Sequence, residues 1–449
     1  MKMLEEAPVA PAPLPETTRD SRRPWLLWLA ALVIFTAGVV VRVIPSAGFT
    51  GIGFDEMLYR TYIVMLDEVG LSNYPALCDS YLADQRDPGS IAKLPPTRFV
   101  YIFCGWLAKH VAYGDAPPLG LKERAAATRD PALVSLHRVS CFGSIALLAL
   151  SGLAAWRMFG EAIGLGVLAL VAASPTQIHF SQHALVDGFF ALWATLSLWL
   201  LWENLQRPAH ARWLTAYGLS LAVMVMAKEN AFFVYVALMS LLAANRWLKL
   251  GTVTPRLLLV SVLGPLAGVA MLVLLAGGAA EFVAIYALLV TKAQHLPYAI
   301  MTGDGPWYRY LVELMTVSPI VFTLALTGLF TLPRERRGFA FLLAFVVVSF
   351  GIMCNVRYGM NLRYTSIWEL PIAAFAAAQL LALARRAGRH HVLVALALFA
   401  AICATELRQY KILFHDHAIY ELAPEGLLRA IDIIKDEPAS AANVHRRQS

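Results

Sequence analysis

PWLLWLAALVIFTAGVVVRVI occupies residues 24–44, and GIGFDEMLYRTYIVMLDEVG follows at residues 51–70. The first stretch is apolar apart from Arg42, and about 20 such residues are enough for one helix to cross a bilayer. The second stretch places Asp55 and Glu56 side by side just beyond that helix. Because carboxylates are costly inside a membrane, we expect this pair at the membrane surface, where it is a candidate functional site.

Further apolar segments recur along the chain, which has 449 residues, 59% of them hydrophobic and 15% charged, and a mean hydropathy of +0.61. This composition is not that of a soluble protein, and it predicts an all-α, polytopic membrane protein. The net charge of +7 does not indicate nucleic acid as a partner, because cytoplasmic loops of membrane proteins collect Arg and Lys. The apolar segments span residues 25–44, 97–113, 135–157, 162–180, 188–205, 211–227, 229–247, 256–278, 310–331, 338–356, 364–384 and 390–406.

The positions of the basic residues predict which segments cross the membrane. Segment 97–113 is ambiguous, because it is short and carries Lys109 and His110. If this segment does not cross, the short basic loops later in the chain fall on the cytoplasmic side with Arg22 and Arg23, as the positive-inside rule requires. We therefore predict about 11 transmembrane helices, with the N-terminus inside and the C-terminus outside.

This topology divides the chain into three parts. Residues 1–24 are rich in Pro, Ala and Glu and are predicted to be a disordered cytoplasmic tail. Residues 25–406 form the transmembrane domain, and its long first outer loop, residues 45–134, is predicted to contain a helix that lies on the membrane or re-enters it. Residues 407–449 are predicted to form a short outer tail, with an amphipathic stretch, EGLLRAIDIIK, before a polar end.

Several polar residues fall on the predicted outer side, and Lys228, Arg357 and Arg363 break the positive-inside rule there. Charges at helix ends that face a shared cavity are candidates for function. Carboxylates and cations at one membrane face suit a phosphate-linked lipid, whose anionic group is held while a neighbouring hydroxyl loses its proton. The outer segments are Asp55–Glu56, KLPPTR (93–98), Arg138, HFSQHALVD (179–187), AKEN (227–230) and NVRYGMNLRY (355–364).

Each of these features also has a purely structural interpretation. Asp55 and Glu56 could cap the first turn of a surface helix, and Lys228 could extend its ammonium group from a helix end toward water. His179 and His183 are four residues apart and could share a helix face as metal ligands, or be ordinary interfacial residues. The cofactor prediction is therefore none, with a divalent metal left open.

Taken in order, these motifs resemble a family. An acidic pair follows the first span, and a basic segment with Pro-Pro follows it in the first outer loop. This order resembles the C-type glycosyltransferases, and within them the branch of protein mannosyltransferases and aminoarabinose or galacturonosyl transferases. The resemblance covers roughly residues 25–420. Its later motifs are LVSLHRVSCFGSIALLALSGLAAWRMFG (133–160), ALVAASPTQIHFSQHALVDGFFALWATLSLWLLW (169–202), VMAKENAFF (225–233), GPWYRYLVELMTVSPIVFTLALTGL (305–329) and RYTSIWELP (363–371).

The resemblance implies a multi-pass enzyme of the inner, or plasma, membrane. It would take a sugar from a polyprenyl-phosphate carrier and act on the periplasmic or extracellular face, as in the modification of lipopolysaccharide or other cell-envelope glycans. Residues 25–406 would be its catalytic domain, with Asp55 as the catalytic carboxylate and Glu56 beside it. The predicted ligands of the donor phosphate are Lys93, Arg138, Lys228, Arg357 and Arg363. The predicted substrate-binding residues are Asp187, His183 and Tyr364.

Two features depart from the family pattern. Leu94 stands where the family has His or Lys directly before Pro-Pro, and Lys93 lies one residue earlier. The outer C-terminal region is also short, so it does not match the large lumenal domain of protein mannosyltransferases, which makes a protein acceptor of that kind less expected.

The mechanism that we expect is an inverting transfer in which Asp55 accepts the proton of the acceptor. Glu56 could instead be the base, orient the acceptor or bind a metal. The predicted acceptor is a lipid, a glycan or a protein. Alternative functions are a membrane transporter or a flippase for lipid-linked glycans, a non-catalytic subunit that binds such a lipid, and an O-antigen-ligase-like transferase. Charges at one face, a long first outer loop and no repeated halves favour the enzyme over the transporter.

Overall fold

A computed structural model describes residues 24–44, 53–120, 129–208, 210–295, 303–331, 337–356, 360–417 and 419. Over these residues the chain is helical and contains no β-strand, which confirms the all-α prediction. The predicted N-terminal tail lies outside the described residues except for Pro24. The predicted amphipathic stretch EGLLRAIDIIK also lies outside them, so the proposed organisation of both tails stays a prediction.

Seventeen α-helices are described, and each of the twelve apolar segments predicted from the sequence overlaps at least one of them. Short 3-10 helices lie at Leu71–Asn73, Leu362–Trp368 and Gly388–His390, and a π-helical turn covers Lys411–Asp416. The α-helices are α1 (Pro24–Val43), α2 (Phe54–Val69), α3 (Pro75–Arg86), α4 (Phe99–Tyr113), α5 (Pro131–Phe159), α6 (Glu161–Ala173), α7 (Pro175–Ser181), α8 (Val186–Gln206), α9 (Ala211–Ala227), α10 (Ala231–Leu248), α11 (Pro255–Leu275), α12 (Ala279–His295), α13 (Arg309–Val317), α14 (Pro319–Thr331), α15 (Arg337–Met353), α16 (Glu369–Arg385) and α17 (His391–Tyr410).

Six helical stretches among the described residues are long and apolar enough to cross a membrane. A seventh crossing follows if α6 and α7, which are bent by 57° at their junction, count as one broken span. The helices α9, α14 and α15 are apolar but shorter. The chain is therefore a multi-pass membrane protein, whereas the predicted number of about 11 crossings is not confirmed. The six stretches are Trp25–Val43, Pro131–Phe159, Ala231–Leu248, Pro255–Leu275, Leu362–Arg385 and Gly388–Asp416.

The longest helix, α5, is the centre of the N-terminal half, because α1, α2, α4, α6, α7 and α8 all pack against it. Helices α2, α3 and α4 belong to the predicted outer loop, and α2 contacts both of the others. Within this group Lys109 of α4 is buried and forms an ion pair with Asp67 of α2. That partner explains how a short apolar helix accommodates a lysine.

Two helices are interrupted at Ser-Pro sequences. Ser174 lies between α6 and α7, and Ser318 lies between α13 and α14, and each is followed by proline as the first residue of the next helix. Proline has no N–H to donate to the carbonyl four residues earlier, and its ring crowds that carbonyl, so each helix is interrupted there. The predicted continuous segments 162–180 and 310–331 are thus two helices each.

Helix α12 was not predicted, since the preceding apolar segment was expected to end at residue 278 and lead into a connection. It follows Gly277 and Gly278, both at positive φ, and packs against α3 of the outer loop. The ammonium of Lys292 donates to the carbonyl oxygens of Asp87 at 2.7 Å and of Ser90 at 3.2 Å. Helix α12 therefore helps to hold the outer loop against the later half of the chain.

Candidate functional site

Four charged residues from distant parts of the chain meet at one end of the helical bundle. Asp55 begins α2, Asp187 lies in the first turn of α8, and Lys228 connects α9 to α10. Arg363 lies in the 3-10 helix Leu362–Trp368, where the side chain of Asn361 accepts a hydrogen bond from its backbone N–H at 3.0 Å. All four lie at or beside helix ends, which is where the sequence predicted functional charges.

These residues form a continuous chain of ion pairs. The Nη1 of Arg363 lies 2.7 Å from Oδ2 of Asp55 and 3.7 Å from Oδ2 of Asp187. The Nζ of Lys228 lies 2.5 Å from Oδ1 of Asp187 and 4.4 Å from the centre of the Tyr364 ring, a cation–π geometry. The structure thus brings together five of the residues predicted for the site. We call Asp55, Asp187, Lys228 and Arg363 the polar chain.

Accessibility divides the polar chain into a buried end and an open end. The side chains of Asp187 and Lys228 are each 3% exposed, whereas those of Asp55 and Arg363 are 17% and 14% exposed. Asp187 therefore serves as the buried counter-ion for two cations, a role that compensates the cost of burying each charge. A substrate would meet the polar chain first at Asp55 and Arg363.

Glu56, although adjacent to Asp55, is completely buried and fully occupied. Its Oε2 accepts a hydrogen bond from the backbone N–H of Gly53 at 2.6 Å, and its Oε1 accepts one from the backbone N–H of Ala184 at 2.6 Å. The Nε2 of His137 and the Nδ1 of His183 lie 3.1 and 3.5 Å from the same Oε1. Burial alone would raise the pKa of Glu56, but the hydrogen bonds and charges of both histidines hold the pKa well below its usual range.

The contacts of Glu56 join three parts of the protein. They connect the start of α2 to α5 through His137 and to the α7–α8 turn through His183 and Ala184. The bond to Gly53 is the capping arrangement that fixes the first turn of α2. The two adjacent acids thus have different surroundings, because Asp55 faces an accessible cation and Glu56 faces the interior.

A second ion pair, with a buried arginine, lies beside the polar chain. Arg98 is 3% exposed, and its guanidinium makes a bidentate pair with Glu229, with Nε 2.9 Å from Oε2, and also donates to the Tyr59 hydroxyl. Burial would raise the pKa of Glu229, but the charge of Arg98 lowers it. Neither residue was selected from the sequence, although both lie in quoted segments, at the end of KLPPTR and next to Lys228 in AKEN.

The segment KLPPTR is held by hydroxyl groups of tyrosines in α2, in α3 and directly before α3. Tyr62 donates to the carbonyl of Leu94, Tyr74 donates to the carbonyl of Pro96 at 2.6 Å, and Tyr81 donates to the carbonyl of Lys93 at 3.4 Å. These bonds satisfy carbonyls that the Pro-Pro sequence leaves outside regular structure. They fix the path of the backbone that delivers Arg98 to Glu229.

The remaining predicted cations occupy other surroundings. The Nζ of Lys93 lies 2.8 Å from Asp84, and both side chains are about one third exposed. Arg138 is exposed and stacks over the Tyr113 ring at 5.3 Å, while its neighbour His137 is the residue that reaches Glu56. Arg357 lies outside the described residues.

His179 and His183 lie close together, with ring centres 4.4 Å apart. The His179 ring also stacks on Phe414, at 4.2 Å. Among the residues that the structure describes, no group of three or more His, Cys, Asp or Glu side chains is arranged to hold a metal ion. The described contacts of His183 place it beside Glu56 rather than in the polar chain.

The charges of the polar chain and of the Arg98–Glu229 pair balance. Three carboxylates and three cations are paired: Asp55, Asp187 and Glu229 with Arg363, Lys228 and Arg98. A phosphate that entered would therefore have to draw a cation from its carboxylate. The most accessible cation is Arg363, and its release would free Oδ2 of Asp55 to accept a proton.

The chain is similar to known proteins in part of its sequence and in its fold. The family described as dolichyl-phosphate-mannose-protein mannosyltransferase matches residues 107–288. No curated protein matches the sequence. Among solved structures, ArnT from Cupriavidus metallidurans bound to undecaprenyl phosphate is similar, with 14% identity and a TM-score of 0.51, over 86% of this chain and 74% of ArnT.

The oligosaccharyltransferase of Archaeoglobus fulgidus is similar as well. Its apo form has 12% identity and a TM-score of 0.56, over 95% of this chain and 60% of that protein. Its complex with zinc and sulfate has 13% identity and a TM-score of 0.54, over 85% of this chain and 52% of that protein. This chain spans 61% of the length of ArnT in its apo state, with a TM-score of 0.49.

These similarities extend over most of the chain, but the identities are low, so they establish the fold and leave individual residue roles open. The family match covers α4 through α12 in part or in full and includes Asp187, Lys228 and Glu229. The chain is thus similar to the mannosyltransferase family over part of its sequence, and it shares the fold of ArnT and of the archaeal oligosaccharyltransferase.

Proposed function

We propose that the protein transfers a sugar from a polyprenyl-phosphate-linked donor to an acceptor at the periplasmic or extracellular membrane face, with inversion and with Asp55 as the general base. The observation that carries this proposal is the difference between the two adjacent acids. The carboxylate of Asp55 is partly accessible and is paired with the side chain of Arg363. Glu56 is completely buried, and its described contacts are all with groups of the protein itself. A base must reach the proton that it accepts, and Asp55 meets that requirement.

The donor phosphate is assigned to Arg363 and Lys228. Both belong to the polar chain, and both are held by Asp187, which positions them without blocking the accessible side of Arg363. A planar guanidinium can hold two phosphate oxygens at once, and an ammonium adds a second positive charge. Lys93 and Arg138, with their own partners Asp84 and Tyr113, are assigned to the support of the outer loop. ArnT, a protein of the same fold, has been solved with undecaprenyl phosphate, which supports a polyprenyl carrier.

The proposed reaction needs one base and one leaving group. The acceptor oxygen forms a bond to the anomeric carbon as Asp55 takes the acceptor's proton, and the bond from that carbon to the phosphate oxygen breaks on the opposite face. Polyprenyl phosphate leaves with the electron pair, and Arg363 and Lys228 stabilise its charge. This single displacement inverts the anomeric configuration and needs no second carboxylate.

Donor binding prepares the base in this mechanism. In the structure Arg363 lies on Oδ2 of Asp55, where it would hinder proton transfer. When the phosphate attracts Arg363, Oδ2 becomes free for the acceptor. Tyr364 adjoins Lys228 and limits where its ammonium can move. Transfer therefore requires the donor to bind before Asp55 can act.

The outer face is proposed from the loop charges together with the grouping of helices. The short basic loops predicted to be cytoplasmic include those with Arg157, Arg246 and Arg385, at the ends of α5, α10 and α16. The polar chain lies near the opposite, N-terminal ends of α10 and α16, on the side of α2. The positive-inside rule then supports an outer position for the polar chain.

The test is sugar transfer in membranes supplied with a polyprenyl-phosphate-sugar extract. Asp55→Asn, at matched expression, is expected to reduce transfer by about 10²-fold or more, the scale of general-base contributions, while carrier binding is retained. Asp79→Asn is the control, because Asp79 is an exposed carboxylate on α3 of the same outer loop. Transfer by Asp55→Asn equal to that of the control would refute the base assignment. Movement of the lipid-linked sugar across vesicles, without transfer, would favour a flippase instead.

A further inference from the structure

A polar cavity that the proposed reaction does not use lies between the two interrupted helices. Ser174 at the α6–α7 break and Ser318 at the α13–α14 break both line it, together with Thr176, Glu369 at the start of α16 and Glu406 near the end of α17. Its volume is about 30 Å³, enough for one ion with little room beside it. Two carboxylates and three hydroxyls thus surround a space large enough for one ion.

The two carboxylates differ in their hydrogen-bond partners. Glu369 interacts with the hydroxyls of Ser174 and Thr176 and accepts a hydrogen bond from the side-chain amide of Gln177 at 3.4 Å. Glu406 is 1% exposed and faces the hydroxyl of Ser318. Its Oε1 has no hydrogen-bond partner within the described part of the chain. A buried carboxylate oxygen without a partner is costly, so the cavity calls for a ligand that this oxygen can bind.

The surrounding charges define the charge of that ligand. Arg42 is buried nearby and interacts electrostatically with Glu369. Its guanidinium donates to the Ser144 hydroxyl at 2.9 Å and to the carbonyls of Val171 and Ala172, at the end of α6, at 2.8 and 3.0 Å. Arg42 is thus held in place by neutral groups and balances one carboxylate. One negative charge remains, because no basic side chain among the described residues forms an ion pair with Glu406.

The chemistry of the donors defines the ligand further. All five polar groups in the cavity wall present oxygen, the donor type that hard cations prefer. No imidazole or thiolate lines the cavity, which disfavours a zinc-type ion. Interrupted helices that meet near buried polar groups are also the arrangement in which membrane proteins coordinate sodium.

We propose that this cavity binds a single monovalent cation, with Na⁺ as the ion of fitting size, between Glu369 and Glu406. The ion supplies the missing positive charge and gives Oε1 of Glu406 a partner. Glu369 directly follows the 3-10 helix that carries Arg363 and Tyr364. The bound ion would therefore connect the position of that helix to α17.

The experiment measures the thermal stability of the purified full-length protein in detergent, with NaCl replaced by choline chloride at constant ionic strength. Because a ligand that binds only the folded state stabilises it, Tm should rise with Na⁺ and saturate, by about 3 °C at a hundredfold excess over Kd. Glu406→Gln should remove this rise. Glu313→Gln should retain it, because Glu313 is another buried glutamate, on α13, but is paired with Arg309 and does not line the cavity.

Each alternative result has a defined meaning. Equal Tm in Na⁺, K⁺ and choline would overturn the proposal and leave Glu406 as a neutral carboxylic acid. A response to Mg²⁺ or Ca²⁺ without one to Na⁺ or K⁺ would overturn the monovalent assignment, as would an unchanged response in Glu406→Gln. If Glu406→Gln does not fold, Ser318→Ala should shift the Na⁺ midpoint upward about tenfold, and an unshifted midpoint would overturn the proposal. Since Tm is the measurement, failure here is separate from failure of sugar transfer.

Discussion

Glu56→Gln is expected to destabilise the protein, whereas Asp55→Asn is expected to leave its stability almost unchanged. The glutamine keeps the size of Glu56 but loses its charge, and its amide group would place N–H groups against the N–H of Gly53 or of Ala184. Hydrogen bonds to a charged group contribute about 1.5–3 kcal/mol each, so we expect a loss of about 3 kcal/mol. For a chain of this length that corresponds to a decrease in Tm of about 3 °C.

The matched substitution Asp55→Asn removes an accessible ion pair with Arg363, which contributes about 1 kcal/mol or less. Thermal unfolding of both variants in detergent, followed by intrinsic fluorescence, measures the difference.

The pH dependence of stability gives a second test. The pKa of Glu56 is lowered in the folded protein, so its contribution is complete above the unfolded value of about 4.3 and is lost as the pH falls further. The wild-type advantage over Glu56→Gln should therefore shrink below about pH 4. A Glu56→Gln protein with wild-type Tm and no transfer activity would refute this reasoning and place Glu56 on the substrate.

Three further predictions concern the cations. Arg363→Ala should lower the kcat/KM for the lipid-linked donor by about 10²-fold, while Lys93→Ala stays within about twofold of wild type. Donor titrations of both variants measure this difference, and equal losses would contradict the phosphate assignment. Asp187→Asn should cost about 3–5 kcal/mol of stability because Lys228 is left buried without its partner. Addition of Lys228→Met to this variant should restore part of the lost Tm. If Tm is not restored, the loss does not come from the unpaired charge of Lys228. Glu229→Gln should cost a similar amount by leaving Arg98 buried without its partner, and addition of Arg98→Met should recover part of it in the same unfolding assay, whereas additive losses would argue against a shared ion pair.

The positions of the helices could be predicted because each apolar segment is long and bounded by polar residues. Their interruptions were less visible, since Ser174-Pro175 and Ser318-Pro319 lie inside apolar stretches and hydropathy does not register a missing N–H group. Helix α12 was missed because it carries Glu281, Lys292 and His295 within a moderately apolar segment. Its partner is α3 of the outer loop, and such long-range packing is not encoded in local hydropathy.

Within the site, Asp55, Asp187, Lys228 and Arg363 could be selected because charges are rare beside apolar helices and therefore conspicuous. The direction of a side chain could not be predicted in the same way. His137 and Arg138 are neighbours, but successive residues of a helix point about 100° apart, so only His137 faces Glu56. In KLPPTR the first cation turns to Asp84 and the last to Glu229, which depends on tyrosine contacts from two other helices.

The balanced charges around Asp187 have a consequence for inhibition. The three ion pairs described here carry no net charge together, so they do not attract a free phosphate or sulfate ion over a long range or raise its local concentration. Such an ion must also displace Asp55 from Arg363 without help from other contacts. A lipid-linked phosphate is held nearby by its hydrocarbon chain and competes with Asp55 at a much higher effective concentration. Inorganic anions should thus be weak inhibitors of this protein, and lipid phosphates of sufficient chain length should be strong ones.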